Sequence, residues 1–97
     1  SLHRRKIPFR YECGLEVNGT IYYPDFTIKH PKTGEMYYWV HHGLMDKPKY
    51  AKESFDKLKE YYTVHIISGI NLITTYEDEE HPLSFDLVER LIEHYFM

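Results

Sequence analysis

The 97-residue chain has one cysteine, one tryptophan and no long apolar run, and each shortage excludes something. A lone Cys13 cannot build an internal disulfide framework, which fits a reducing compartment. No stretch approaches the roughly 20 apolar residues of a membrane helix, and no signal peptide is visible. A soluble, cytoplasmic protein without a membrane partner is therefore expected. Excess positive charge is missing too. With 15 acidic against 12 basic residues the net charge is −3, which is not the overall signature of a strong nucleic-acid binder. Seven histidines are present, but no Cys-x-x-Cys or His-Glu-x-x-His spacing. The adjacent His41 and His42 point to opposite faces of a strand, so structural zinc is not expected. His41, beside Trp39, reads instead as a hydrogen-bonded core histidine. No internal repeat or low-complexity segment occurs.

What is present suits one small domain spanning residues 1–97. The chain is 42% hydrophobic and 16% aromatic, enough for a core, and its ten tyrosines offer rings that are apolar at one end and wet at the other. A domain of this size buries only about two-thirds of its unfolded surface. Positive residues gather at Arg4, Arg5, Lys6 and Arg10 and again at Lys47, Lys49, Lys52, Lys57 and Lys59, whereas acids crowd residues 77–80. Such runs are most often a solvated surface. The abrupt basic start, with no helix start signal, is expected of a domain cut from a longer protein with covalent neighbour domains.

Apolar and polar residues alternate over residues 9–17, which predicts a strand. Asn18-Gly19 is a strong hairpin signal, because both residues tolerate positive φ. Residues 21–30 predict a second strand, Pro31-Lys32-Thr33-Gly34 a turn, and residues 35–42 a third, aromatic strand. Asp46 suits a helix N-cap and Pro48 the first turn. The helix should run to about Tyr61 with Tyr50, Ser54, Phe55, Leu58, Tyr61 and Tyr62 inward. Short strands are predicted at 64–68 and 71–76. Ser84 should cap a final helix with an inward stripe from Leu87 to Phe96. The expected fold is α/β (α+β): a central mixed sheet with an antiparallel three-stranded meander, in the order β-β-β-α-β-β-α.

The turns permit a register argument. If Asn18-Gly19 is a two-residue loop, Val17 lies opposite Thr20 and Glu12 opposite Asp25, with Cβ atoms about 5 Å apart on one face. If residues 31–34 form the second turn, Asp25 lies opposite Val40, and His42 shares that face. A one-residue change in either loop would reverse the faces. Two carboxylates so close repel unless a cation or shared proton lies between them, and a hard ion such as Mg²⁺ prefers such oxygens. The plainer alternative pairs Glu12 with Arg10 or Lys29 at a wet surface.

Tyr23-Pro24-Asp25-Phe26-Thr27-Ile28 followed by Tyr37-Tyr38-Trp39-Val40-His41-His42-Gly43 resembles the two halves of the PD-(D/E)XK signature of restriction-endonuclease-like nucleases. The resemblance spans roughly residues 9–76. It implies metal-dependent DNA phosphodiester hydrolysis with Mg²⁺ (or Mn²⁺), in a domain attached to a helicase-type or other DNA-processing protein. Asp25 matches the first metal-binding acid, and Glu12 matches an additional upstream acid. Val40 falls where the second acid belongs, and His42 where the lysine belongs. Val40 has no oxygen to offer a metal. His42, with a reference pKa of about 6.5, is a base at neutral pH but lacks a permanent charge. Lys57-Leu58-Lys59-Glu60-Tyr61 has the spacing of the Gln-x-x-x-Tyr motif of some family branches. Lys57 then stands in for the missing lysine, or else only snorkels with its head in water. The rival implication is a nuclease-like domain that has lost catalysis and keeps a DNA-binding or interaction role.

Overall fold

The computed structural model describes residues 2–97 and shows an α+β domain with two sheets and two helices. The strands are β1 (Phe9–Tyr11), β2 (Leu15–Val17), β3 (Thr20–Tyr22), β4 (Phe26–Lys29), β5 (Met36–His42) and β6 (Leu72–Tyr76). Helix α1 (Pro48–Thr63) joins β5 to β6, and α2 (Phe85–Phe96) closes the chain. One sheet has the order β1-β4-β5-β6, antiparallel except for the parallel β5–β6 pair, and β2–β3 form a separate hairpin. Parallel neighbours need a crossover, and α1 supplies it.

Both predicted turns form. Asn18 and Gly19 take φ values of 52° and 81°, and Val17 pairs with Thr20. Gly34 takes φ 77°, and the His30 N–H donates to the Glu35 carbonyl at 2.8 Å. The His30 ring nitrogen Nδ1 accepts the N–H groups of Lys32 and Thr33, which stiffens that turn. Register therefore runs as expected, with Phe26 opposite Trp39 and Tyr11 opposite Phe26. Side-chain alternation then splits β5 between two cores. Trp39 packs with Ile28, Ile73, Ile92 and Phe96 on the α2 side, and Val40 packs with Tyr61, Leu72 and Val17 on the α1 side. Each such side chain contributes roughly 1.5–3 kcal/mol by leaving water.

Four expectations need correction. The predicted strands over 9–17 and 21–30 are each broken, because Glu12 adopts φ 49° and the buried Pro24 lies next to Asp25, its partner across the ribbon. Proline cannot donate to a ladder, and a left-handed residue turns the strand. The break re-aims the ribbon: Phe9 and Tyr11 lie against Phe26 on the α2 side, whereas Leu15 and Val17 join the α1 core. Residues 64–68 form no strand, only an isolated Ser68–Leu72 bridge. There α1 ends in a tight turn, with the N–H groups of Val64, His65 and Ile66 bonded to the carbonyls of Tyr61 and Tyr62. Asp46 is not the N-cap of α1; Lys47 holds that position without a side-chain cap, while Pro48 begins the helix as expected. Phe55 and Tyr62, expected inward, are 52% and 66% exposed, because Ser54, Leu58 and Tyr61 make the inner stripe. Leu87 of α2, also expected inward, is 45% exposed. Ser84 does cap α2, accepting from the Leu87 N–H. No helix among the described residues is long and apolar enough to cross a membrane.

The kink at Glu12 makes a stability prediction. A β-branched residue is strained in the left-handed region and glycine is not, so Glu12→Val should be about 1–2 kcal/mol less stable than Glu12→Gly in urea unfolding. Equal stabilities would show that the kink is not held at this residue.

Candidate functional site

The cleft of interest lies where the ends of β4 and β5 meet α1. Its polar residues arrive by three routes. Asp25 immediately precedes β4, one step beyond the Phe26–Trp39 pair and so level with Val40. Its Oδ2 accepts the backbone N–H of His41 at 2.6 Å, which clamps the carboxylate to β5. Charge-assisted bonds to backbone N–H are among the stronger polar contacts in a protein. Lys57 and Tyr61, one helical turn apart on α1, come down on the same face.

Burial dominates the electrostatics. Lys57 is half-buried, and burial pushes its pKa down, with the charge of Asp25 pulling the other way. Tyr61 is buried and stacks edge-on against Tyr22 at 5.5 Å. Its phenol is pushed up to about 12 by burial, then by Tyr22 and Asp25. His42 is 0% exposed and lies flat on Tyr76 at 5.0 Å. Neither of its ring nitrogens has a hydrogen-bond partner. Its pKa is pushed down to about 4 by burial first, then by the positive charges of Lys57 and His41, with Asp25 opposing. The ring is neutral at pH 7 and closed off from solvent.

Of the four residues expected to act in the site, His42 and Lys57 lie on the α1 side with Tyr61, and the charge of Asp25 reaches all three. The pocket that Lys57 lines is bordered by Glu53, Asp56 and Glu60 and not by Asp25. Val40 is 2% exposed and packed into the α1 core. Glu12 lies opposite Asp25 as the register requires, its N–H donating to the Asp25 carbonyl at 3.1 Å. Its left-handed backbone breaks the alternation that would have aimed both carboxylates together. The Glu12 carboxylate instead holds the Tyr11 phenol above its ordinary pKa, chiefly through a side-chain hydrogen bond.

These residues do not fit a Mg²⁺ or Mn²⁺ site of the family type. One Asp25 oxygen is already bonded to a backbone N–H, the left-handed backbone of Glu12 breaks its alternation with Asp25, and Val40 contributes no oxygen. Among the described residues, no group of three or more His, Cys, Asp or Glu side chains is placed to hold a metal ion.

A second polar group went unforeseen in the sequence. On the opposite face of the sheet, the Trp39 indole N–H donates to Thr75 Oγ1 at 3.2 Å, and that oxygen lies 2.8 Å from His41 Nδ1. His41 Nε2 meets Glu77 Oε1 at 2.7 Å, and Glu77 Oε2 accepts the Leu83 N–H. Bonds to His41 and Leu83 hold the Glu77 carboxyl below its ordinary pKa. His41 is thus hydrogen-bonded, as expected. Its partners depend on the parallel register that sets His41 beside Thr75, more than 30 residues away, and nothing local announces that pairing.

No family model, no curated protein and no solved structure matches this chain.

His42 yields a pH prediction. Its folded pKa of about 4 lies below the unfolded value of about 6.5, so the unfolded chain binds more protons between those limits. The stability this neutral ring contributes is present above about pH 6.5 and is lost as pH falls towards 4, by up to about 3 kcal/mol. His42→Phe, which keeps a ring on Tyr76, should flatten that limb of the stability–pH curve in denaturant titrations. An unchanged limb would assign it to other groups.

Proposed function

We propose that this chain is a nuclease-like domain that binds DNA through its phosphates and in which Val40 leaves metal-dependent hydrolysis weak or absent. The observation that carries this reading is the meeting of Asp25, Lys57 and Tyr61 around a core valine. The supporting fold is an antiparallel meander followed by a helical crossover to a parallel strand, the order expected of restriction-endonuclease-like domains. In the PD-(D/E)XK resemblance Asp25 corresponds to the first acid and Tyr61 to the motif tyrosine. His42 stands at the lysine position, Lys57 at the motif glutamine, and Val40, which the core needs, at the second acid.

The surface beside the cleft suits phosphate. Helix α1 begins with no side-chain cap and no acid in its first turn, so its N-terminal N–H groups and partial positive charge face outward. Lys47, Lys49 and Lys52 are exposed there, although Lys52 also pairs with Asp56 at 3.6 Å. Lys57 adds a positive charge further along α1, in a pocket it shares with Glu53, Asp56 and Glu60. Asp25, braced against β5, limits how closely a phosphate approaches and so orients it.

Two measurements test the reading. Fluorescence anisotropy with a short duplex should give binding that weakens steeply with salt, because each phosphate contact releases counterions. Replacing Lys47 and Lys49 by Glu should weaken it about tenfold or more and flatten the salt slope. In a plasmid-nicking assay with Mn²⁺, the natural chain should cut weakly or not at all, and Val40→Glu should raise cutting at least about tenfold, an increase that Asp25→Ala abolishes. Thermal melting of each variant guards against misreading an unfolded protein. Salt-independent binding, or none, would contradict the proposal. A protein-interaction role would then gain ground from the exposed Phe55 and Tyr62 on the outer face of α1.

A further inference from the structure

A second cavity opens on the other side of the sheet, against α2, with a volume of about 490 Å³. That lies within the range of small-ligand pockets, about 300–1,000 Å³. Its wall is a run of aromatic rings contributed by three adjacent strands. Phe26 is central, with Tyr11 at 5.6 Å, Phe9 at 5.8 Å and Trp39 at 6.5 Å, none stacked face to face. Val88 and Ile92 of α2 close the opposite side. The row follows from register, since Tyr11, Phe26 and Trp39 lie directly opposite one another across β1, β4 and β5.

Asp25 is the one carboxylate that lines this cavity, beside the polar side chains of His3, His41 and Thr75. Two further carboxylates lie near it: Glu12 follows the lining Tyr11 in the chain, and Glu77 is bonded to the lining His41. No lysine or arginine is among the lining residues. The lining Trp39 N–H is already committed to Thr75, both His41 ring nitrogens have partners within the protein, and the Tyr11 hydroxyl serves Glu12. Asp25, the exposed imidazole of His3 and the negative faces of aromatic rings remain, and no lysine or arginine is there to hold an anion. Aromatic faces attract cations, most strongly where water is excluded.

We propose that this cavity binds a small organic cation, an alkylated ammonium group seated over the Phe9, Tyr11, Phe26 and Trp39 wall with the nearby carboxylates supplying the opposite charge. Such a group presents an apolar surface that carries positive charge, and the lining offers apolar area and negative potential together. The proposal does not rest on the DNA reading: Asp25 borders this cavity as well as the α1 side, but neither Lys57 nor the lysines at the start of α1 line it.

Trp39, the sole tryptophan, forms part of the wall and reports on it directly. Its fluorescence should change saturably on titration with choline at fixed ionic strength. The neutral isostere 3,3-dimethylbutan-1-ol should need about five times the concentration or more for half-saturation. Tyr11 is 64% exposed, so Tyr11→Leu should leave the melting temperature unchanged while raising the choline half-saturation point about fivefold or more. Equal affinity for choline and its neutral isostere would overturn the proposal. So would an absent or unsaturable response, or a Tyr11→Leu variant that binds choline as well as the natural chain.

Discussion

Strand β5 is covered on both faces, and its register against β4 decides which residues meet which helix. The turn at residues 31–34 sets that register, with Gly34 at positive φ and the His30 ring accepting two backbone N–H groups. From it follow Trp39 and His41 on the α2 side and Val40 and His42 on the α1 side. A slip of one residue would exchange the two sets, burying charged or wet groups in both cores. The 2.6 Å bond from the His41 N–H to Asp25 extends the same register past the end of the ladder and holds the cleft carboxylate in place.

Val40 shows how packing and chemistry compete for one position. It sits level with Asp25, where a second carboxylate would complete a metal site, yet it is enclosed by Tyr61, Leu72 and Ile66. Burying an unpaired carboxylate there would cost several kcal/mol, unless a cation or Lys57 compensated it. The neighbouring groups register this dryness: His42 is neutral, Tyr61 resists ionisation and the Lys57 pKa is lowered. Of these groups, His42 is the one whose pKa, pushed down to about 4, leaves it neutral at pH 7. On the α1 side Lys57 shares its pocket with Glu53, Asp56 and Glu60, while Asp25 is braced against β5.

Much of this was legible where short-range chemistry decides. Asn18-Gly19 and Pro31–Gly34 permit few backbone solutions, and counting from them placed Glu12 opposite Asp25 and Asp25 level with Val40. The helical spacing of Lys57 and Tyr61 put both on the sheet-facing side. What escaped was set by tertiary contact. Nothing in the alternation of residues 9–17 says that Glu12 takes a left-handed conformation, although Pro24 on the partner strand was a warning. Phe55 and Tyr62 belong to an apolar pattern wider than the single stripe that α1 buries. The Trp39–Thr75–His41–Glu77 chain exists only once β5 and β6 pair in parallel, and a crossover of that length carries no register signal in the sequence.

The central claim, that DNA phosphates are held at the N-terminus of α1 and in the Asp25–Lys57 cleft, is tested most directly by amide chemical-shift mapping with a short duplex. The account predicts salt-sensitive shifts at Lys47, Lys49 and Lys57, extending to Asp25 and His41, with the outer face of α2 silent. No shifts at saturating duplex, or shifts confined to α2 and the β2–β3 hairpin, would contradict it.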